Sequence, residues 1–312
     1  MIIKIPSSNV SIVIVNWNGK EDTVKCINSI RHMDKRGYQV SVIVVDNGST
    51  NDSVKTIRLA HPWVTILETK RNLGFTGGNN KGIQYALQEG ADIIWLLNND
   101  TIVDRNVLIA LDNFRNPHIG AVGSKIYFAA GHEYHHNRYL EKHRGKVIWY
   151  AGGIIDWDNV YATHRGVDEV DRGQYDTLGN TPFISGCSLF VKREIFEKIG
   201  ILDDRFYLYL EDLDFCLRVQ SAGYSLFYDP RSILWHVNAG SSGGAGNPLH
   251  DYYLTRNRLL IGFQYASFRT KLALIRESMK FLITGSLEKR KAVMDVFFGR
   301  WGNQYEPKKY KT

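Results

Sequence analysis

Apolar runs alternate with amphipathic stretches over the first hundred residues of the chain. Four of the apolar runs are typical of buried strands, at residues 10–15, 39–45, 63–68 and 93–97. Between them, apolar side chains recur at helical spacing, over residues 21–33 and 78–89. Strands that alternate with helices in this way predict a Rossmann-like α/β half, because parallel strands are joined by crossover helices.

All four predicted strands end in polar residues. The last of them, Ile93–Leu97, has no turn signal before it and leads directly into Asn98-Asn99-Asp100. Ligands of open α/β sheets bind outside the carboxyl ends of the strands, so these polar ends predict one shared site. Asp100 offers a hard oxygen ligand to a divalent cation, with Asn98 on the same face. The alternative is that these residues only cap the next helix.

The middle of the chain holds a long polar segment, residues 129–181, which we expect to form a loop over the mouth of the site. A predicted helix at 104–114 and a predicted strand at 119–128 precede it. Further apolar runs after the segment predict three strands, at residues 183–191, 225–228 and 233–236.

Three carboxylates crowd the first turn of a helix that begins near residue 211. They are Glu211, Asp212 and Asp214, and they follow an aromatic run. Favourable interaction with the helix dipole accounts for one or two acids at such a position. Three of them favour a carboxylate held near a functional site.

One motif resembles the zinc-protease pattern HExxH, His132-Glu133-Tyr134-His135-His136. That chemistry needs a helix to carry the two histidines and a third ligand. Gly131 and weak helix formers surround the motif, and the sequence offers no obvious third ligand. We therefore expect a solvated loop, with a zinc site as the less favoured alternative.

A single histidine, His236, ends a predicted strand just before the glycine-rich segment 241–246. Histidine at such a strand end is a candidate metal ligand. Farther on, a helical stripe of apolar residues has basic neighbours that lie largely off the stripe. The stripe consists of Phe268, Leu272, Ile275, Met279 and Leu282, and its neighbours are Arg269, Lys271, Arg276 and Lys280. Such a helix lies on an anionic membrane surface or packs onto the core, and both remain open.

Composition indicates an ordinary globular protein of 312 residues, with 44% apolar and 23% charged residues. Three widely spaced cysteines without a CxxC pair favour free thiols in a reducing compartment, and the first residues lack the apolar core of a signal peptide. We therefore expect a cytoplasmic protein. From Arg269 onward there are eleven Lys or Arg and four Asp or Glu, which accounts for the whole net charge of +7. The basicity thus belongs to the tail, and a nucleic-acid groove is not indicated.

Two nucleotide-binding classes are disfavoured by their missing loops. No GxGxxG follows the first predicted strand, and the glycine-rich stretch 77–82 has neither that spacing nor the P-loop pattern. Coenzyme dehydrogenases and P-loop nucleotide hydrolases therefore do not fit.

An ordered set of motifs runs from about residue 10 to 262 of the chain. The motifs are Val13-Ile14-Val15-Asn16-Trp17-Asn18, Val44-Val45-Asp46-Asn47-Gly48-Ser49-Thr50, Arg71-Asn72-Leu73-Gly74-Phe75, Leu96-Leu97-Asn98-Asn99-Asp100, Ile184-Ser185-Gly186, Asp204-Arg205-Phe206, Glu211-Asp212-Leu213-Asp214, Trp235-His236 and Tyr253-Leu254-Thr255-Arg256-Asn257. As a set, they resemble the family 2 inverting glycosyltransferases of GT-A fold, and most closely their rhamnosyltransferase-like branch.

The resemblance implies a GT-A fold with a mixed central sheet, a nucleotide-sugar donor and a divalent cation. It implies a catalytic domain at 1–262, with a nucleotide-binding half at 1–104 and an acceptor half at 105–262, followed by a basic helical extension at 263–312. It also implies work in polysaccharide biosynthesis at the cell envelope, on a glycan or lipid-linked acceptor. Contact of the tail with the inner face of the membrane is a separate expectation, which follows from the amphipathic basic helix.

The resemblance also implies roles for single residues. Asp212 would be the general base, with Glu211, Asp214 and Trp235 around the acceptor. The nucleotide would contact Asn16, Asp46, Arg71, Asn72, Gly74, Asn98 and Asn99.

For the cation, Mn²⁺ or Mg²⁺, the resemblance implies Asp100 and His236 as ligands. Asn98 stands where the family has the first Asp of its DXD motif, which leaves metal binding to those two residues.

The same residues suit glycosyl transfer on chemical grounds. A nucleotide diphosphate leaving group needs a cation to neutralise its charge, and an acceptor hydroxyl needs a carboxylate base as it attacks. The predicted function is transfer of a sugar from dTDP-rhamnose or a UDP-sugar. The alternatives are a nucleotidyltransferase acting on sugar phosphates and a non-catalytic protein that binds a membrane surface.

Overall fold

A mixed ten-stranded sheet forms the centre of the protein in the computed structural model, which describes residues 8–237 and 247–306. A separate hairpin of two strands completes the β-structure of those residues. The strands are β1 (Asn9–Asn16), β2 (Gln39–Asp46), β3 (Thr65–Glu68), β4 (Ile93–Leu97), β5 (Thr101–Val103), β6 (Ile119–Phe128), β7 (Ile148–Tyr150), β8 (Gly153–Asp156), β9 (Tyr161–His164), β10 (Gly179–Asn180), β11 (Ser188–Lys192) and β12 (Ser225–His236).

Helices pack against this sheet and follow it at the C-terminal end of the chain. They are α1 (Lys20–His32), α2 (Ser53–Ala60), α3 (Gly74–Gln88), α4 (Arg193–Ile199), α5 (Glu211–Ser221), α6 (Pro248–Tyr265), α7 (Phe268–Thr284) and α8 (Leu287–Phe297), with 3₁₀ helices at Val107–Arg115, His136–Arg138 and Glu141–His143.

The predicted Rossmann-like half is confirmed. Strand β1 pairs in parallel with β2 and with β4, and β2 pairs in parallel with β3. Every residue of β4 is buried, as its unbroken apolar sequence predicts for a strand covered on both faces. The carboxyl ends of β1, β2 and β4 therefore meet at one edge of the sheet.

The second half of the chain joins the same sheet and makes it mixed. Strand β11 lies antiparallel between β4 and β6, and β12 pairs in parallel with β6 and antiparallel with β5. The pairing of β12 with β5 places His236 opposite Thr101. Two residues that are far apart in sequence, His236 and Asp100, are brought together in this way.

Several predicted elements differ from the observed ones. The helix expected at 104–114 is a 3₁₀ helix, since its N–H groups bond three residues back from Asp104 onward. The strands expected at 225–228 and 233–236 form one strand, with a register shift between Asp229 and Ile233. Pro230 lies in that shift, and proline has no N–H to offer the ladder.

We expected the polar segment 129–181 to be a loop, and this prediction was wrong in part, because the segment contains strands. It contributes β7 to the edge of β6 and forms the β8–β9 hairpin. Val147, Ile148 and Tyr150 are buried within it. These apolar side chains, which are few in a polar stretch, are enough to fix the segment against the sheet.

The C-terminal helices pack against the preceding part of the chain. Helix α6 spans the predicted domain boundary at residue 262, and Gly262 lies against Leu274 of α7, where an added Cβ would lie 2.2 Å from Leu274 Cδ1. The apolar stripe predicted on α7 faces outward. The buried face of this helix is formed by Thr270, Leu274 and Ser278. None of the helices in residues 8–237 and 247–306 is long and apolar enough to cross a membrane.

Candidate active site

Asn16 and Asp46 end strands β1 and β2 at the same level of the sheet. The Asn16 side-chain amide donates to Asp46 Oδ1 at 2.8 Å, and the N–H of Ser49 donates to Asp46 Oδ2 at 3.1 Å. The Ser49 hydroxyl donates to Asp46 Oδ1 as well, at 2.6 Å. These donors fix the direction of a buried carboxylate at the rim of the sheet.

Asn47 connects this rim to the next turn of the chain. Its amide donates to Asn72 Oδ1 at 3.0 Å and to the carbonyl of Gly74 at 2.9 Å, and its own oxygen accepts the N–H of Leu73 at 2.9 Å. Asn72 Oδ1 also accepts the N–H of Gly74 at 2.8 Å. An acceptor at that point explains why α3 begins at Gly74, earlier than its apolar pattern predicts.

Gly48 lets the two turns touch backbone to backbone. Its φ is +74°, a conformation that favours glycine, and an added Cβ would lie only 2.6 Å from the carbonyl carbon of Arg71. The Arg71 side chain is exposed. Arg71 and Asn72 are therefore held directly beside the end of β2.

The polar residues after β4 do not cap a helix, because β5 follows them. The backbone N–H of Asn98 donates to the carbonyl of Cys187 at 3.0 Å. The Asn99 amide donates to the Thr23 hydroxyl at 3.0 Å, which in turn donates to Asn16 Oδ1 at 2.8 Å. The ends of β1, β2 and β4 are thus connected by one chain of hydrogen bonds, and the capping alternative is wrong.

Asp100 and His236 form a buried pair at the same edge. His236 Nε2 lies 3.0 Å from Asp100 Oδ1, and the N–H of Val237 donates to the carbonyl of Asp100 at 2.8 Å. The other ring nitrogen, Nδ1, is buried without a hydrogen-bond partner among the described residues. The glycine-rich segment 241–246 that follows lies outside the described residues.

The donor set of this pair fits a divalent cation. Two neighbouring ligands of an octahedral Mg²⁺ or Mn²⁺ lie about 3 Å apart, because each metal–ligand bond is about 2.1 Å long. Residues 8–237 and 247–306 hold no group of three or more His, Cys, Asp or Glu suited to a metal. The protein would therefore supply two ligands and leave the others to phosphate oxygens and water, as is usual for Mg²⁺.

Asp212 lies in the first turn of α5, beside the segment that leads into β11. Its Oδ2 accepts the N–H of Gly186 at 2.8 Å and its Oδ1 accepts the N–H of Leu213 at 2.8 Å. Burial raises the pKa of Asp212, and these two N–H donors act in the opposite direction. Cys187, next to Gly186, is within electrostatic reach of both Asp100 and Asp212.

The other two carboxylates of this turn have different surroundings. Glu211 is buried, and its burial together with the charge of Asp212 raises its pKa well above the usual range. Asp214 is fully buried, and it accepts from Arg218 Nε at 2.8 Å and from the Tyr265 hydroxyl at 2.7 Å. Both oxygens of Asp214 are thus engaged by protein donors that connect α5 to α6.

A strained loop leads into Asp212. Tyr207, Tyr209 and Leu210 have φ values of +64°, +70° and +65°, which cost non-glycine residues about 1 kcal/mol or more each. The loop lies on the start of α3, since an added Cβ on Gly74 would be 2.4 Å from the Tyr207 carbonyl oxygen. The turn at Gly74 and the loop before Asp212 are therefore in direct contact.

Two fully buried residues of α6, Arg256 and Asn257, hold this loop. The Asn257 amide lies within 3.0 Å of the carbonyls of Phe206, Leu208 and Tyr209. The Arg256 guanidinium donates to the carbonyls of Arg205, Phe206 and Gly302, at 2.8, 2.7 and 2.6 Å. Arg256 and Asn257 belong to the motif Tyr253-Leu254-Thr255-Arg256-Asn257, from which no role for either residue was predicted.

Two cavities flank the turn at Arg71 and Asn72. One, of about 530 Å³, is lined by Asp46 and Ser49 together with Thr69 and residues of α2. The other, of about 500 Å³, is lined by Arg71, Asn72, Lys81 and Tyr207 among others. Neither reaches Asp100 or Asp212, which lie along the open edge of the sheet between β4 and α5.

Trp235 and the HExxH motif both contact the polar segment 129–181. The indole N–H of Trp235 donates to the carbonyl of Gly145 at 2.9 Å, so this residue fastens the polar segment. Glu133 also fastens the polar segment, because its carboxylate accepts hydrogen bonds from the N–H groups of Gly131 and Gly145. Residues 132–135 are not helical, and the zinc-protease geometry is not formed.

The sequence-predicted residues thus fall into two groups. Those that meet at the sheet edge are Asn16, Asp46, Arg71, Asn72, Gly74, Asn98, Asn99, Asp100, Asp212 and His236. The other group consists of Glu211 and Asp214, which are buried in α5, and Trp235, which bonds to the polar segment at Gly145. Asn47, Gly186, Arg256 and Asn257 were missed as individual residues, because their contribution is a set of contacts to backbone atoms that no spacing rule reports.

A family model for glycosyl transferase family 2 matches residues 11–200, which extend from strand β1 to helix α4. The chain belongs to this family. The strand-end motifs at Asn16, Asp46, Arg71 and Asp100 lie inside the matched range, and Asp212 and His236 lie beyond it.

Curated relatives of this family 2 glycosyltransferase include rhamnosyltransferases. It is 28% identical over 218 residues to the N-acetylglucosaminyl-diphospho-decaprenol L-rhamnosyltransferase of Mycobacterium tuberculosis, covering 65% of this chain and 68% of that protein. It is 24% identical to the dTDP-rhamnosyl transferase RfbF of Shigella flexneri, covering 82% and 80%. A third relative, the uncharacterized protein y4gI of Sinorhizobium fredii, is 27% identical, and the chain spans 22% of its length.

Solved structures share the fold. A mannosyltransferase from Pyrobaculum calidifontis, in complex with GDP-Man and Mn²⁺, has a TM-score of 0.55 at 14% identity over 91% of this glycosyltransferase and 78% of its own chain. GalNAc-T7 with UDP, GalNAc and Mn²⁺ has a TM-score of 0.63 at 17% identity, over 94% and 55%. The GT-A fold expected from the sequence is confirmed by these likenesses.

Proposed function

We propose that this glycosyltransferase transfers rhamnose from dTDP-rhamnose to a lipid-linked glycan with inversion at the anomeric carbon. A UDP-sugar is the second choice of donor. The names of the relatives from M. tuberculosis and S. flexneri support this donor and acceptor class. The observation that carries the proposal is the arrangement at the sheet edge, where a carboxylate of raised pKa, Asp212, lies near a ligand pair, Asp100 and His236, with Cys187 within electrostatic reach of both aspartates.

In this proposal, the donor lies along the carboxyl edge of β1, β2 and β4. Asp46 and Asn16 would face the base from a position fixed by Ser49, with Arg71 and Asn72 on the other side of the nucleoside. The cavity of about 530 Å³ beside Asp46 is wide enough for a nucleoside. Gly74, Asn98 and Asn99 would complete the wall towards the diphosphate.

Asp100 and His236 would hold the divalent cation, Mn²⁺ or Mg²⁺. When bound, it would neutralise the charge that develops on the leaving diphosphate. The fold neighbours solved with a nucleotide or nucleotide sugar and Mn²⁺ support a cation of this kind.

Asp212 would accept the proton of the acceptor hydroxyl as that oxygen attacks the anomeric carbon. Because the attack is a direct displacement, one base is sufficient and the configuration inverts. The N–H groups of Gly186 and Leu213 keep the carboxylate in one orientation, so little reorganisation is needed during the reaction. The raised pKa makes Asp212 a stronger base than an exposed aspartate.

The pH dependence of transfer tests this role. Asp212 accepts a proton only when it is ionised, and burial raises its pKa above the ordinary value of 3.8. We expect transfer to decline as the pH falls through this raised pKa, so that the acidic limb lies at higher pH than for an exposed aspartate. A profile of kcat against pH, measured with saturating donor and a check that the enzyme stays folded, gives the position of the limb. An acidic limb at or below pH 3.8 would contradict the assignment.

Donor binding can be measured without knowing the acceptor. At a concentration of 100 times Kd, a true donor should stabilise the fold by about 2.7 kcal/mol, a rise in Tm of about 5 °C. We expect that rise with dTDP-rhamnose and Mn²⁺, measured by thermal denaturation against a set of UDP- and GDP-sugars. Asp100→Ala should lose the Mn²⁺-dependent part, while Asp158→Ala, which removes an exposed carboxylate elsewhere, should keep it. If no nucleotide sugar raises the Tm, the proposal fails.

A further inference from the structure

Helix α7 exposes an apolar stripe that the fold leaves uncovered. Phe268 is 77% exposed, Met279 59% and Ile283 75%. At 100° per residue, the exposed apolar side chains fall within an arc of about 100°. The stripe consists of Phe268, Leu272, Ile275, Met279, Leu282 and Ile283.

The inward face of α7 is a different one. Thr270, Leu274 and Ser278 are buried, and their centre lies about 130° around the helix from the centre of the stripe. The helix therefore already has its packing partner, and the stripe cannot turn inward without losing that contact.

The next helix continues the exposed apolar surface. Leu287 follows Ile283 across the turn at Gly285 and is 78% exposed, and Met294, Phe297 and Phe298 are exposed along α8. Exposed apolar side chains that extend over two helices indicate an interaction site.

Positive charge surrounds the stripe. Arg269, Arg276 and Lys280 are exposed about 70° to 110° from its centre on one side, and Lys271 lies at its other edge. Residues 268–300 contain eight Lys or Arg and three Asp or Glu, a net charge of +5.

The acidic residues of this segment offset its charge on α8 more than on α7. Asp295 pairs with Lys291 at 2.6 Å and lies 3.7 Å from Arg300, and Glu288 accepts from the Tyr305 hydroxyl at 3.2 Å. Glu277, the acidic residue of α7, pairs with Arg258 of α6 at 2.8 Å. The basic side chains that border the stripe are therefore those of α7.

We propose that the outer face of α7 and α8 docks on an anionic lipid bilayer, with the apolar stripe in the headgroup–acyl boundary and the basic side chains on lipid phosphates. Charge complementarity selects this occupant. A second copy of the chain would bring the same basic borders together, whereas an anionic bilayer opposes them with negative charge. This inference goes beyond the proposed transfer. Docking would bring the enzyme to the membrane that carries a lipid-linked acceptor.

The test measures sedimentation of the full chain with phosphatidylglycerol-containing vesicles and with phosphatidylcholine vesicles. We expect binding to the anionic vesicles only, weakened by salt. The triple variant Arg269→Gln, Arg276→Gln, Lys280→Gln should bind about a hundredfold more weakly, since each basic residue near the surface contributes about a factor of five. The variant Phe268→Ser, Met279→Ser, Ile283→Ser should lose binding as well.

Matched variants separate the face from overall charge and from folding. Lys25→Gln, Arg31→Gln, Lys35→Gln removes the same charge from exposed positions on and after α1, and should bind as the parent protein does. All variants should keep the parent's melting temperature and its donor-induced shift. Vesicle binding and donor binding are separate readouts, so a failure of one proposal is distinguishable from a failure of the other.

Three outcomes would overturn the proposal. The first is no binding of the parent protein to anionic vesicles. The second is equal loss of binding in the α1 and α7 charge variants. The third is a concentration-dependent dimer, seen by light scattering, that the serine variant abolishes, since the face would then belong to a second copy of the chain.

Discussion

Replacing Asp212 by Asn is expected to lower kcat for sugar transfer by about 10²- to 10⁴-fold, the usual contribution of a general base. The substitution removes the atom that accepts the proton and leaves the size of the side chain almost unchanged. Donor binding should survive, because Asp212 contacts Gly186 and Leu213 and none of the residues at the end of β1 or β2. Measurement of kcat, together with the donor-induced rise in Tm, separates the two effects.

Stability should change little in the same variant. A carboxyl group whose pKa is raised by burial stabilises the fold only below its unfolded pKa, and this contribution is lost as the pH rises through the folded value. At neutral pH the ionised Asp212 is therefore a cost that Asn removes, although Asn can accept only one of the two backbone N–H groups. We expect a Tm within about 3 °C of the parent protein, since the two effects are each about 1 kcal/mol.

Asp214→Asn is the matched control, as it makes the same change two residues away. Asp214 is fully buried and paired with Arg218 and the Tyr265 hydroxyl, so the variant leaves a half-buried arginine without its counter-charge. We expect a clear loss of stability, about 3 kcal/mol. Undiminished transfer by Asp212→Asn would refute the assignment of the base.

The second large effect concerns the residues that hold the strained loop. Asn257→Leu keeps a similar volume but removes the amide that serves the carbonyls of Leu208 and Tyr209. We expect a loss of about 2–4 kcal/mol in the free energy of unfolding, because buried carbonyl groups remain unpaired. Since Tyr207, Tyr209 and Leu210 adopt left-handed conformations only under constraint, the loop should relax and displace Asp212.

We expect kcat to fall about 100-fold in the folded fraction of Asn257→Leu, as a displacement of about 1 Å can cause such a loss, with the KM for donor changed far less. Arg256→Lys should lower kcat as well, because a lysine ammonium cannot reproduce the planar guanidinium that donates to the carbonyls of Arg205, Phe206 and Gly302.

Arg258→Lys supplies the control on the same helix. Arg258 contacts Asn159 and Glu277 and does not reach the loop, so this variant should lose some stability and retain kcat. Equal kcat in all three variants, measured below their melting temperatures, would show that Arg256 and Asn257 contribute to stability alone.

Much of the Rossmann-like half was predictable because it is local. The strand Ile93–Leu97 is entirely apolar, and an apolar run of that length is buried wherever the chain places it. The polar residues after it, at Asn98 and Asp100, were recognisable by their abrupt appearance. The second half of the sheet was less predictable, since its strands β7 to β10 are two to four residues long and lie in a polar segment. Strands that short carry no periodic signal.

The candidate site divides in the same way. Asp212 was found because three acids share one helical turn, a feature of a single stretch of sequence. The clamp of Arg256 and Asn257 was missed, because its acceptors are backbone carbonyls about 50 residues earlier, and any residue provides a carbonyl. Asp214, one of the same three acids, turned out to be engaged by Tyr265 of a later helix.

The sequence by itself determined the alternation of strands and helices from β1 to β4, the polar ends of β1, β2 and β4, and the acidic turn at Asp212, since hydrophobic period and chemical type are properties of neighbouring residues. Only the tertiary structure decided that β12 carries His236 to Asp100, that Asn257 holds the loop before Asp212, and that the apolar stripe of α7 faces outward. Those outcomes depend on which surfaces meet after the chain has closed on itself, and a pattern within one segment specifies its own faces without naming what will cover them.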